Sequence, residues 1–106
     1  MASIHPNVQV THEQIAAFCQ KWQIVQFELF GSVLRDDFRP DSDVDVLVTF
    51  APDAKHPLRE LMEMERVLGE LFGRHVDLIK RKLVERNPNY ITRNNILRSA
   101  RRVYAV

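Results

Sequence analysis

Asp43 and Asp45 stand two residues apart in and beside the apolar run VDVLVTF, downstream of the pair Gly31-Ser32 and upstream of Asp77. Alternate residues of a strand project from one face at a rise of about 3.3 Å per residue, so the two carboxylates would lie roughly 6 to 7 Å apart at their base and reach one ion. Crowded carboxylates raise one another's pKa unless a cation lies between them. Mg2+ removes that penalty and takes oxygen ligands at about 2.0 to 2.1 Å. The pair therefore predicts a metal. Gly31 lacks the Cβ that keeps a phosphate away from backbone, and Ser32 adds a hydroxyl where a strand ends and a short helix is expected. A helix N-terminus contributes only about 0.3 to 1 kcal/mol toward an anion, so a triphosphate also needs metal and an arginine. Arg35, one turn beyond Ser32, is the nearest, with Arg39 as a second.

Transfer of a nucleotidyl group requires metal on the attacking and leaving oxygens and a nucleophile aligned with the α-phosphorus. Asp43 and Asp45 supply the first requirement. If the strand carrying Asp77 lies beside theirs, Asp77 completes a two-metal site and orients or deprotonates the attacking hydroxyl. Taken singly, each residue has an ordinary explanation: Ser32 as a helix cap, Asp43 as a turn residue, Asp77 as an acid facing water. Asp45 inside an apolar strand is harder to explain that way, and the combination carries the reading.

These residues need elements to hold them. Thr11 with Gln14 forms a capping box, and Ile15, Phe18, Cys19 and Trp22 recur at helical spacing. IVQFELF alternates Val25, Phe27 and Leu29 with Gln26 and Glu28, which predicts a half-buried strand up to Gly31. In VDVLVTF, Val44, Val46, Val48 and Phe50 share one face, leaving Asp43, Asp45, Leu47 and Thr49 on the other. Pro52 and Pro57 bracket a connection to a helix through Leu61, Met62, Glu65, Leu68, Leu71 and Phe72, with Gly73 to end it and Glu65 alone interrupting its stripe. HVDLIK predicts a third strand with His75, Asp77 and Ile79 on one face. After Asn87-Pro88, the residues Ile96, Leu97, Ala100, Val103 and Tyr104 predict a final helix. The expected order is helix, strand, strand, helix, strand, helix.

A chain of 106 residues, 45% hydrophobic and 27% charged, with no repeat or linker-like stretch, fits a single domain over 1–106. The formal net charge of +1 and the lack of interleaved aromatics argue against direct nucleic-acid binding. Charge is unevenly distributed: residues 80–106 carry eight Lys and Arg against Glu85 alone, a net of +7 that leaves −6 for the rest. That contrast suits docking on an acidic partner or a solvated helix face. Cys19 is the only cysteine and lies on an apolar helical stripe. His5, His12, His56 and His75 are scattered and read as surface or loop residues, and Tyr90 and Tyr104 as packing residues. The sequence shows neither a signal peptide nor a run long enough to span a bilayer, so a cytoplasmic location is expected.

The segments FGSVLR (30–35) and PDSDVDVLV (40–48), with the later acid Asp77, resemble the signature of the minimal nucleotidyltransferase (MNT) family, within the DNA polymerase beta-like nucleotidyltransferase superfamily. The resemblance covers most of the chain. It implies an α/β (α+β) fold, a small mixed β-sheet with helices packed mainly on one face. It implies an ATP-using nucleotidyltransferase, with Asp43, Asp45 and Asp77 as catalytic residues and ligands of Mg2+, two ions being expected. Gly31, Ser32, Arg35 and Ser42 would hold the nucleoside triphosphate. Family members of this size are commonly encoded beside HEPN-domain ribonuclease toxins and act as antitoxins that transfer AMP to a toxin tyrosine, which implies a hetero-oligomer with a HEPN toxin. Two alternatives stand beside this: an antitoxin that neutralises by binding alone, or a nucleotidyltransferase acting on RNA or a small molecule.

Overall fold

The computed structural model describes residues 3–106. The capping box forms as the sequence predicts. Thr11 Oγ1 accepts from the Gln14 backbone N–H at 3.2 Å, and Gln14 Oε1 accepts from the Thr11 N–H at 2.9 Å. Helix α1 (His12–Trp22) follows. Strand β1 (Ile24–Phe30) runs to Gly31, whose φ of +79° opens a single 3-10 turn, Gly31–Leu34. Then come β2 (Val44–Phe50), α2 (Leu58–Phe72), ended by Gly73 in the left-handed region at φ +69°, and β3 (Val76–Lys80). The chain continues through α3 (Arg81–Glu85), α4 (Tyr90–Ser99) and β4 (Arg101–Ala105).

The four strands form one mixed sheet in the order β3-β2-β1-β4. β2 and β3 are parallel, joined by the crossover helix α2, and β1 is antiparallel to both β2 and β4. Period-two alternation divides each strand between two sides. Phe27, Leu29, Val44, Val46, Val48 and Val76 face the main core, where they meet Ile15, Phe18 and Cys19 of α1 and Met64, Leu68 and Phe72 of α2. Burying a side chain of that size contributes about 1.5–3 kcal/mol, so this face dominates stability. The opposite face carries a smaller cluster of Phe30, Leu47 and Val84, flanked by Ile79, Ile96, Leu97 and Ala100. Helices α1 and α2 thus cover one face, while α3 and α4 cover only part of the other.

The final helix differs from the expectation. It stops at Ser99, and Val103 and Tyr104 belong to β4, paired with β1. Ile96, Leu97 and Ala100 pack on the smaller cluster, whereas Val103 and Tyr104 pack on the main core across the sheet. A helical stripe would need all five on one side. Pairing along β1 wins because it satisfies a row of backbone groups that would otherwise be an open edge. Tyr90 is 62% exposed, so it is not a packing residue. Glu65, the acid in the stripe of α2, accepts the Leu78 N–H at 2.9 Å on β3. Among the described residues, no helix is long and apolar enough to cross a membrane.

Candidate active site

Parallel pairing of β2 with β3 puts Val44 opposite Val76 and Asp45 opposite Asp77. The Val44 N–H donates to the His75 carbonyl at 3.0 Å, so the same alignment extends one residue back and sets Asp43 beside His75. Four polar side chains therefore occupy the corners of one patch: Asp43 and Asp45 along one strand direction, His75 and Asp77 along the other. His75 Nδ1 lies 3.4 Å from Asp43 Oδ2 and 3.7 Å from Asp77 Oδ1. Asp43, His75 and Asp77 each offer a ligand atom, all within 4.8 Å of one another. The adjacency of Asp45 and Asp77, on which the sequence argument depended, is present. His75 was placed among scattered surface histidines; its spacing from Asp77 repeats that of Asp43 from Asp45, a signal the sequence already carried.

Asp45 has a raised pKa. Burial raises its pKa first, then the charge and hydrogen bonding of Asp77, then the charge of Asp43, with His75 acting weakly the other way. Its surroundings account for this. Phe30, its cross-strand partner on β1, precedes Gly31, and a Cβ built on Gly31 would fall 2.8 Å from Asp45 Oδ2. The space next to the backbone that was expected to admit phosphate is thus used, at least on this side, by the Asp45 carboxylate. Glycine is doubly required there, because φ of +79° disfavours any side chain as well. Three carboxylates and one imidazole, with one acid pushed toward its protonated form, are a donor set that suits a divalent cation.

The turn and loop beside the acids are braced from outside. Asn7 Nδ2 donates to the Val33 carbonyl at 2.8 Å and the Arg35 carbonyl at 2.9 Å, fixing the 3-10 turn that carries Ser32. Arg74 Nη1 donates to the Arg39 carbonyl at 2.9 Å and the Ser42 carbonyl at 3.3 Å, and its guanidinium lies 4.4 Å from the Phe38 ring centroid. Neither brace shows in the sequence as a pattern, since both act on backbone far away along the chain. The expected helix after Gly31-Ser32 is only four residues long, so its dipole adds little and its free N–H groups are what it offers. Arg35 pairs with Asp37, Nε to Oδ1 at 3.1 Å, on the exposed surface. Ser32 and Ser42 are half-buried on either side of that loop.

The profile of the nucleotidyltransferase domain family matches residues 12–103. A protein of Methanocaldococcus jannaschii, provisionally named a protein adenylyltransferase, is 32% identical over 69 residues, covering 65% of this chain and 67% of that protein. A solved structure provisionally described as a minimal nucleotidyltransferase superposes with a TM-score of 0.64 at 30% identity, over 85% of this chain and 86% of that one. The complex of a tri-AMPylated HEPN toxin of Shewanella oneidensis with an MNT antitoxin gives a TM-score of 0.56 over 90% of this chain and 70% of the matched chain. At 16% identity, that last likeness is one of fold.

Proposed function

The chain belongs to the nucleotidyltransferase domain family, in its minimal nucleotidyltransferase branch, and from that premise we propose that it is an antitoxin that transfers AMP from ATP to a tyrosine of a HEPN-domain toxin. One observation carries the reading: the register that sets Asp45 beside Asp77 on an open sheet face, with Gly31 laid against Asp45. The adenylyltransferase name of the Methanocaldococcus relative supports the reaction, and the AMPylated toxin of the Shewanella complex supports the acceptor.

In this reading Asp43, Asp45 and Asp77 hold Mg2+, with two ions expected. The N–H groups of the Gly31–Leu34 turn, the Ser32 hydroxyl, Ser42 and Arg35 hold the triphosphate. Arg35 reaches it by exchanging its exposed partner Asp37, a pair of the kind that contributes little. A cation held by these carboxylates would supply withdrawal of charge from the phosphate oxygens. The Tyr hydroxyl oxygen forms a bond to the α-phosphorus, the bond from that phosphorus to the bridging oxygen breaks, and pyrophosphate leaves. Asp77, half-buried beside Asp45, accepts the hydroxyl proton. Ligation takes the ionised Asp45 carboxylate, and its raised pKa couples cation affinity to pH.

The test is direct. Incubating the protein with its HEPN partner, ATP and Mg2+ should add adenylate to a tyrosine-containing peptide of the partner, read by mass spectrometry. The variant carrying Asp43→Asn and Asp45→Asn should add none. Undiminished adenylylation by that variant would overturn the assignment of the site. Full neutralisation of the toxin by an inactive variant would instead favour an antitoxin acting by binding alone.

A further inference from the structure

We propose that an apolar groove at the β3 edge of the sheet is the docking site for the protein acceptor, and that it takes an amphipathic, acidic segment of the HEPN partner. The inference rests on the antitoxin reading above and adds to it the surface that the partner covers. The groove, about 350 Å3, lies between Leu58, Leu61 and Met62 of α2, Leu78 and Ile79 of β3, and Leu83 of α3. Leu78 and Ile79 point to opposite faces of β3, so the groove straddles the border of the sheet. Leu58, Met62 and Leu83 are 71%, 61% and 61% exposed. Three of the six exposed large apolar side chains among the described residues thus gather at one groove, as they do where another surface covers them. The stripe read along α2 sets Met62 with Leu68. Leu68 is fully buried while Met62 stays outside, so the apolar face of α2 is wider than its own core uses.

Charge decides what kind of segment fits. Lys80 lines this groove and, with Lys82, a neighbouring hollow of about 380 Å3 whose walls include Phe50, Pro52 and Ala54. Neither lysine has an ion-pair partner among the described residues. Two apolar hollows that share unpaired ammonium groups fit apolar anchors with carboxylates between them. An RNA backbone would meet the lysines but leave Leu58, Met62 and Leu83 against nothing. Position supports a protein that is also the acceptor. β3 is the outermost strand, and the Gly31 turn lies on the far side of the acids, after β1. Ile79 shares a face of β3 with Asp77, the residue assigned the hydroxyl proton. A segment seated in the groove therefore holds a neighbouring tyrosine on the side where that proton leaves.

Isothermal titration calorimetry of the full chain against the HEPN partner tests the surface. Met62→Asp with Leu83→Asp should weaken binding about 100-fold or more, because each new charge is desolvated at an apolar anchor. Lys80→Glu with Lys82→Glu should weaken it about tenfold or more and flatten the salt dependence that wild type shows. Met62→Leu with Leu83→Met should stay within about threefold of wild type. Because Met62, Lys82 and Leu83 are exposed, far-UV circular dichroism should match wild type in every variant. In the aspartate pair the KM for the partner should rise while kcat at saturating partner stays within about threefold. Wild-type affinity in either charged pair would overturn the proposal. So would a chain that dimerises through this groove, with the aspartate pair monomeric and still binding the partner. Loss of RNA retention on a gel in the glutamate pair, with partner binding intact, would assign the lysines to RNA instead. The antitoxin reading fails on different results. A wild type without affinity for the HEPN partner removes both, whereas groove-dependent binding with no adenylate on a tyrosine removes the transfer and leaves the groove.

Discussion

Glu28 and Asp45 project from the same face of the sheet on neighbouring strands, and the protein treats the two carboxylates in opposite ways. Glu28 is 5% exposed, and both its oxygens accept from Arg81 Nη1, at 2.6 and 2.8 Å, with Gln26 Nε2 donating at 2.9 Å. Its charge is matched on the spot. Asp45 has Asp77 and Asp43 for neighbours, and its pKa is raised by burial and by their charge. Nothing in the packing requires that crowding: a compensated pair was within the reach of this fold two residues away. An acid that folding needs is given a cation by the protein, and an acid left in debt to other acids waits for a cation from elsewhere.

The largest effect that distinguishes them is on activity. Asp45→Asn should lower adenylyl transfer by about 10³-fold or more, in the range seen when a group that stabilises transition-state charge is removed. The same change should leave the thermal midpoint unchanged or raise it, since it removes a crowded charge. The pH dependence sharpens this. The raised pKa means that the protonated Asp45 stabilises the fold below the ordinary value of 3.8, a contribution lost as pH rises through the raised folded value. Wild type should therefore lose stability relative to Asp45→Asn as pH is increased from about 4 in metal-free buffer, measured by thermal unfolding across pH. A wild type that gains on the variant over that window would break the comparison.

Arg81→Met should act on the other side of it. Leaving Glu28 buried without its cation should cost about 3 kcal/mol in urea unfolding, the lower end for a broken buried pair because Arg81 keeps some exposure. Adding Glu28→Leu should restore most of that loss. Gly31→Ala comes next. Its Cβ meets Asp45 Oδ2 at 2.8 Å in a strained conformation, which should cost about 1–3 kcal/mol and reduce transfer along with it. Smallest is Asn7→Ala, where losing two hydrogen bonds to the turn should cost about 1–2 kcal/mol and raise the KM for ATP while leaving kcat within a few-fold.

Alternation along 24–30 and 44–50 is enough to place the acids on the face away from the main core, because a strand's period of two is local and nothing overrides it at Val44, Asp45 and Val46. The caps at Thr11 and Gly73 were equally legible, each being chemistry within a few residues. What the sequence hides is whatever depends on distant backbone. Asn7 and Arg74 brace loops 26 to 35 residues away, and Arg81 finds Glu28 at a separation of 53. Strand β4 was hidden for another reason. Ile96, Leu97, Ala100, Val103 and Tyr104 fit a helical repeat, yet the first three and last two serve opposite sides of the sheet, which only the pairing partner β1 decides.

Glu65 bears on how another protein can approach. β3 ends the sheet, and its outward Leu78 N–H is the kind of donor that a visiting strand would use to extend it. Helix α2 has already filled that position with the Glu65 carboxylate. A visitor that lies along β3 must displace a charged acceptor before it gains its first main-chain bond. Association by strand addition is discouraged at the border closest to Asp77, and recognition there falls to side chains and surface shape.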